Sequence, residues 1–123
     1  MPVRGIRGAI SIEEDQPDLI LEATRELLEA ILQANPSLVP DDIASITFTL
    51  TPDLCSVHPA RAAREMGWGQ VPLLCGLEIA VPNSLPKALR VLMHWNTDLP
   101  QGEIRHMYLR KAIILRPDLV KEN

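Results

Sequence analysis

Alternating and helical spacings of apolar residues divide the chain into a short series of elements. Residues 2–11 read as a first strand, with Val3, Gly5, Arg7 and Ala9 on one parity and Arg4, Ile6, Gly8 and Ile10 on the other. Gly5 and Gly8 leave room for close approach of a ligand or another backbone. In residues 17–34, Ile20, Ala23, Thr24, Leu27, Leu28 and Ile31 recur at the spacing of one helix face. Pro17 suits the first turn of that helix, and Asn35-Pro36 ends it. Ile46, Phe48 and Leu50 alternate with Thr47 and Thr49, which predicts a half-buried strand over 45–50. His58-Pro59 opens a short helix over roughly residues 59–66, closed by Gly67. Its Arg61 and Arg64 lie three apart, on one helix face.

Val71 to Leu77 is apolar throughout apart from Pro72, the pattern of a central strand covered on both faces, with Pro72 at its beginning or an edge. Glu78 follows at the strand's C-terminal end, a favoured place for ligand groups in α/β sheets. In residues 87–96, Leu89, Val91, Met93 and Trp95 alternate with Ala88, Arg90, Leu92 and His94, which favours a strand over a helix starting at Ser84. Residues 98–102 form a turn region, and 106–109 and 112–116 read as short strands joined by Arg110-Lys111. Arg116 precedes Pro117 and should be extended. The order β-α-β-α-β-β-β, its last β standing for the C-terminal pair, suggests one two-layer α/β (α+β) domain over 1–123. Its mixed sheet carries helices on one face, and the bare opposite face calls for a homo-oligomer.

Composition narrows the function classes. A chain of 123 residues that is 46% apolar and 23% charged excludes disorder, and its apolar runs are too short to span a bilayer. No signal peptide is visible, and two cysteines make no disulfide framework, so a reduced cytoplasmic setting is expected. Net charge of −4 and only four aromatic residues argue against a nucleic-acid binder. Charge is uneven: seven acids lie between Glu13 and Glu29, and arginine outnumbers lysine nine to three. A guanidinium grips carboxylate or phosphate through two bonds, which an ammonium cannot do.

Arg7 and Arg90 fall on strands among small or apolar neighbours, where a buried cation needs an anion. Two readings stand side by side: a structural salt bridge, for example with Glu78, or a pocket for a ligand carboxylate. Cys75 reads as a small buried hydrophobe, with no histidine placed to activate it. No zinc-ligand spacing exists, and Gly5-Ile6-Arg7-Gly8 is not a phosphate loop.

A set of collinear segments adds a family resemblance. Val3-Arg-Gly-Ile-Arg-Gly-Ala9, Thr51-Pro-Asp-Leu, Pro59-Ala-Arg-Ala-Ala-Arg-Glu65 and Val71-Pro stand in order. Cys75 with Glu78, Arg90-Val, Thr97-Asp, Pro100-Gln, Ile104-Arg-His, Tyr108-Leu and Leu115-Arg-Pro-Asp118 follow. Together they resemble the monofunctional trimeric chorismate mutases of bacteria, the small α/β type and not the all-helical type. The resemblance implies a homotrimer with sheets packed around a central axis and an active site in each cleft between subunits. It implies an intramolecular Claisen rearrangement of chorismate to prephenate, on the route to phenylalanine and tyrosine, with no cofactor and no metal. By the same resemblance Arg90 faces the breaking ether bond, and Arg7 and Tyr108 hold the enolpyruvyl carboxylate. Glu78 and Cys75 engage the ring hydroxyl, beside the main chain of Leu74, Cys75, Gly76 and Leu77. Arg64 and Arg116 guard the entrance, and His58 and Arg61 come from the neighbouring subunit. Leu74 replaces a hydroxyl residue, His58 an aromatic hydrocarbon and Arg61 a lysine. The competing readings are another trimeric enzyme of small carboxylates, of imine-deaminase type, and a non-enzymatic trimeric ligand-binding regulator.

Overall fold

The computed structural model describes residues 1–115. Arg116, together with the end of the strand expected over 112–116, lies outside the described residues. Five strands form one mixed sheet: β1 (Val3–Ser11), β2 (Ile43–Leu50), β3 (Leu73–Leu77), β4 (Ala88–Asn96) and β5 (Met107–Leu109). The spatial order is β3-β2-β4-β1-β5. β4 runs antiparallel between β2 and β1, and the outer strands β3 and β5 run parallel to their neighbours. Two helices, α1 (Pro17–Ala34) and α2 (Ala60–Glu65), complete the α+β domain.

Side-chain parity decides what each strand buries. Ile6 and Ile10 of β1, Ile46 and Phe48 of β2, and Leu89, Val91, Met93 and Trp95 of β4 join Ile20, Leu27, Leu28 and Ile31 of α1 in one aliphatic core. Pro17 begins α1 and the Asn35 N–H, donating to the Ile31 carbonyl, ends it, as the sequence pattern predicts. Gly8 points into this core. A Cβ there would stand 2.9 Å from Val91 Cγ1 and 3.1 and 3.2 Å from the Cδ1 atoms of Ile31 and Leu27. The close approach anticipated at Gly8 is therefore made by α1 packing onto the strand, not by a ligand. Gly67, at a φ of +90°, turns the chain sharply after α2.

Two elements differ from expectation. The 71–77 run is not a central strand covered on both faces: β3 lies at the sheet edge, Leu74 on its open face is 67% exposed, and Leu77, ending the helix-side parity, is 72% exposed. Leu73 and Cys75 pack on the core, whereas Leu74, on the opposite parity, is left uncovered by the described residues. A continuous apolar run marks burial on both sides without saying whether the second cover belongs to the same chain. The second C-terminal strand is instead a 3-10 helix over Arg110–Leu115. Arg110 adopts a left-handed φ of +54°, its Nη1 donates to the Ser11 carbonyl, and the Lys111 N–H donates to Ser11 Oγ. This turn folds Ala112 over Ala9 and Tyr108 on the sheet face away from α1. Among the described residues no helix is long and apolar enough to cross a membrane.

Candidate active site

The sheet face away from the helices carries its chemistry in rows. Register pairs Gly76 with Thr49, Thr49 with Arg90, Arg90 with Ala9 and Ala9 with Tyr108. One row thus crosses all five strands. The next row runs Leu74, Thr47, Leu92, Arg7. Paired residues share a face, so Arg7 and Arg90 are diagonal neighbours across the β1–β4 ladder, a relation that spans about 7–8 Å. Ala9 separates Arg90 from Tyr108 along this row and is itself packed beneath Ala112.

These residues enclose a cleft of about 510 Å³ lined by Arg7, Thr47, Thr49, Arg90, Leu92 and Tyr108. Glu78 leans toward it from the end of β3. Arg90 Nε lies 3.1 Å from Glu78 Oε2, and the Thr49 hydroxyl donates to the same oxygen at 2.6 Å. The Arg90 side chain is 45% exposed and that of Glu78 only 17%. The two readings of Arg90 therefore coexist. It forms an ion pair with Glu78, and its guanidinium still faces open space. Arg7 is exposed too, so neither arginine is a buried cation within one chain, contrary to expectation. Their strand neighbours are small or apolar, but among the described residues none closes this face over them. Two guanidinium groups against one carboxylate give the cleft a surplus positive charge, suited to an anionic ligand.

Other singled-out residues lie elsewhere. Cys75 faces the helix side of β3, so its thiol is on the opposite parity from Leu74 and Gly76. It lines a second depression of about 410 Å³ with Cys55, His58, Gly76 and Leu77. Arg61 is paired with Glu65 at 3.1 Å, and His58 and Arg64 are exposed on and before α2. None of these three lines the Arg90 cleft. The Cys55 thiol donates to Asp15 Oδ2 at 3.3 Å, and that hydrogen bond and the adjacent carboxylate charge push the thiol's pKa up. The Asp15 carboxyl sits below its ordinary value, chiefly through the Ser56 side chain, with help from Cys55. A thiol held protonated in this way is a poor nucleophile. Among the described residues no three His, Cys, Asp or Glu side chains gather as metal ligands.

Thr49 was not singled out by the sequence beyond its parity, because only the β2–β4–β3 register brings its hydroxyl to Glu78. Alternation alone marks it as a residue of the less buried face.

Comparison with known proteins gives a consistent result. The family model described as chorismate mutase type I matches residues 3–119. The chorismate mutase AroH of Thermus thermophilus is 56% identical over 117 residues, covering 95% of this chain and 96% of that protein. The corresponding protein of Bacillus subtilis is 47% identical over 120 residues, covering 97% and 94%. A solved chorismate mutase from Clostridium thermocellum superposes with a TM-score of 0.87 at 45% identity, covering 89% of this chain and 97% of the other.

Proposed function

The chain belongs to the type I chorismate mutase family and is an isomerase converting chorismate to prephenate, and we propose that it works through the open face of its sheet, completed by a neighbouring copy. The imine-deaminase and regulator readings fall with that membership.

The substrate is a dianion with two carboxylates, a ring hydroxyl and an ether oxygen. In the rearrangement the ether C–O bond breaks as a C–C bond forms within the same molecule, and no proton moves. Acceleration then comes from holding a compact conformer and from stabilising charge that grows in the transition state. Negative charge accumulates on the ether oxygen, where a fixed cation is worth most. Arg90 fills that role. Its pairing with Glu78, itself held by Thr49, supports the reading, because a guanidinium anchored at one edge keeps its other donors aimed outward. Arg7, one diagonal away, and Tyr108 on the Arg90 row take the enolpyruvyl carboxylate. Glu78 and the main chain of 74–77 take the ring hydroxyl, with Cys75 contributing through its backbone.

The second copy follows from what one chain leaves open. Leu74, on the cleft side of β3, is 67% exposed, and Leu77 and Ile79 at the strand's end are 72% and 87% exposed, apolar surface that a partner subunit would cover. His58, Arg61 and Arg64 stand away from their own chain's cleft and are available to a neighbour's. A closed homotrimer satisfies both conditions, with Arg64 at the entrance and His58 and Arg61 on the far wall.

The observation that carries this reading is the Arg90–Glu78–Thr49 contact beside Arg7 and Tyr108 in one cleft. Loss of chorismate ultraviolet absorbance should proceed without added metal or nucleotide. Arg90→Ala should lower turnover by about 10²–10³, the scale of a lost oxyanion donor. A near-wild-type rate in that variant would remove Arg90 from the mechanism. Light scattering should report three times the 13.7 kDa chain mass, and an active monomer would exclude a shared cleft.

A further inference from the structure

The segments Pro100-Gln101 and Ile104-Arg105-His106 have no part in the cleft, yet both lie against the strand that carries Arg7. β4 follows one edge of β1 along its whole length, whereas β5 pairs with the other edge only at Gly8, Ala9 and Ile10. Over Gly5 to Arg7, two side chains stand in for the missing strand. Gln101 Oε1 accepts the Gly5 N–H at 3.1 Å, and Gln101 Nε2 donates to the Gly5 carbonyl at 2.7 Å. His106 Nδ1 accepts the N–H of Arg7 itself at 2.9 Å. A backbone N–H can only donate, so Nδ1 presents its lone pair and the neutral ring carries its proton on Nε2.

His106 is held in turn. Ile104 is buried in the core. The Arg105 N–H donates to Asn35 Oδ1 at 3.0 Å, and the Arg105 carbonyl accepts from Asn35 Nδ2 at 3.0 Å. The same Nδ2 reaches the Ile31 carbonyl at 2.9 Å. A continuous line of bonds therefore runs from the end of α1 through Asn35 and Arg105, along the chain to His106, and onto the peptide of Arg7.

We infer that His106, seconded by Gln101, is a positioning residue: its Nδ1 fixes the peptide from which Arg7 reaches the substrate carboxylate. The inference rests on the assignment of Arg7 to that carboxylate proposed above. A carboxylate grip exists in ground and transition states alike, so loosening it raises KM and leaves kcat in place.

Steady-state kinetics on chorismate for His106→Leu, His106→Asn, Gln101→Leu and Arg7→Ala test it. Asparagine keeps an acceptor bonded to Cγ, where Nδ1 stands, and keeps nothing else of the ring. His106→Leu should raise KM about five- to tenfold, the scale of one lost hydrogen bond, with kcat within about twofold. His106→Asn should return KM to within about twofold of wild type, and Arg7→Ala should raise it by at least about tenfold. If Arg7→Ala raises KM and His106→Leu does not, the inference is overturned and the Arg7 assignment stands. The inference also fails if His106→Asn behaves like the leucine variant, or if His106→Leu lowers melting temperature alone. An unchanged KM in Arg7→Ala would sink the assignment and the inference with it. Should His106→Leu not fold, Gln101→Leu decides: a two- to threefold rise in KM, a fraction of one hydrogen bond, supports the inference, and an unmoved KM overturns it.

Discussion

On the helix side of the sheet, Ile6, Ile10, Phe48, Val91 and Met93 meet Leu27, Leu28 and Ile31 with almost no exposed surface. On the other side, the same three strands present Arg7, Thr47, Thr49, Arg90 and Leu92 to an open cleft. Each strand serves both sides through the period of two, so one residue sets packing and the next sets chemistry. The covered face is apolar and closed within one chain. The open face mixes charge with exposed leucine, a composition with little stabilising value in a monomer. Folding and function are thus separable along a single strand, residue by residue.

That separation can be broken by experiment. The largest effect is expected on the covered side: Phe48→Ala should cost about 3–5 kcal/mol of unfolding free energy, measured by urea titration, because the neighbours of a fully buried ring close the cavity only in part. Activity per folded molecule should stay near wild type in that variant, and a collapse of kcat in folded protein would deny the separation. Arg90→Ala is its mirror image, a loss of roughly 3–4 kcal/mol in transition-state stabilisation with the urea midpoint unmoved. Thr49→Val sharpens the comparison at the smallest scale. Removing the hydroxyl that donates to Glu78 should lower kcat/KM about fivefold, near 1 kcal/mol, and leave melting temperature almost unchanged. A thermal shift without a kinetic one would assign Thr49 to stability instead.

Legibility in the sequence follows the same division. The helix over 17–34 and the strands over 2–11 and 87–96 stand close to where periodicity puts them, because each packs an apolar face inside its own chain. Periodicity failed at β3, whose apolar residues Leu74 and Leu77 are left exposed by the described residues, and at 112–115, where Arg110 turns left-handed to let Ala112 fold over Ala9. Arg7, Arg90, Glu78 and Tyr108 could be named from the family resemblance and from charge on alternating strands. Thr49, Gln101, Asn35 and His106 could not be, since their roles depend on which strand lies beside which. Hydrogen bonds between residues about 70 to 100 positions apart leave no local pattern to read.

The row from Gly76 through Thr49, Arg90 and Ala9 to Tyr108 has a last consequence. Lateral distances along it are multiples of the inter-strand spacing, about 4.8 Å, set by backbone hydrogen bonds and indifferent to side-chain identity. Under the proposed reading, the ligand is gauged against this ruler. Substitution changes which group stands at a graduation and leaves the graduations where they are. Heat can blur that scale only by dissolving the sheet on which it is engraved.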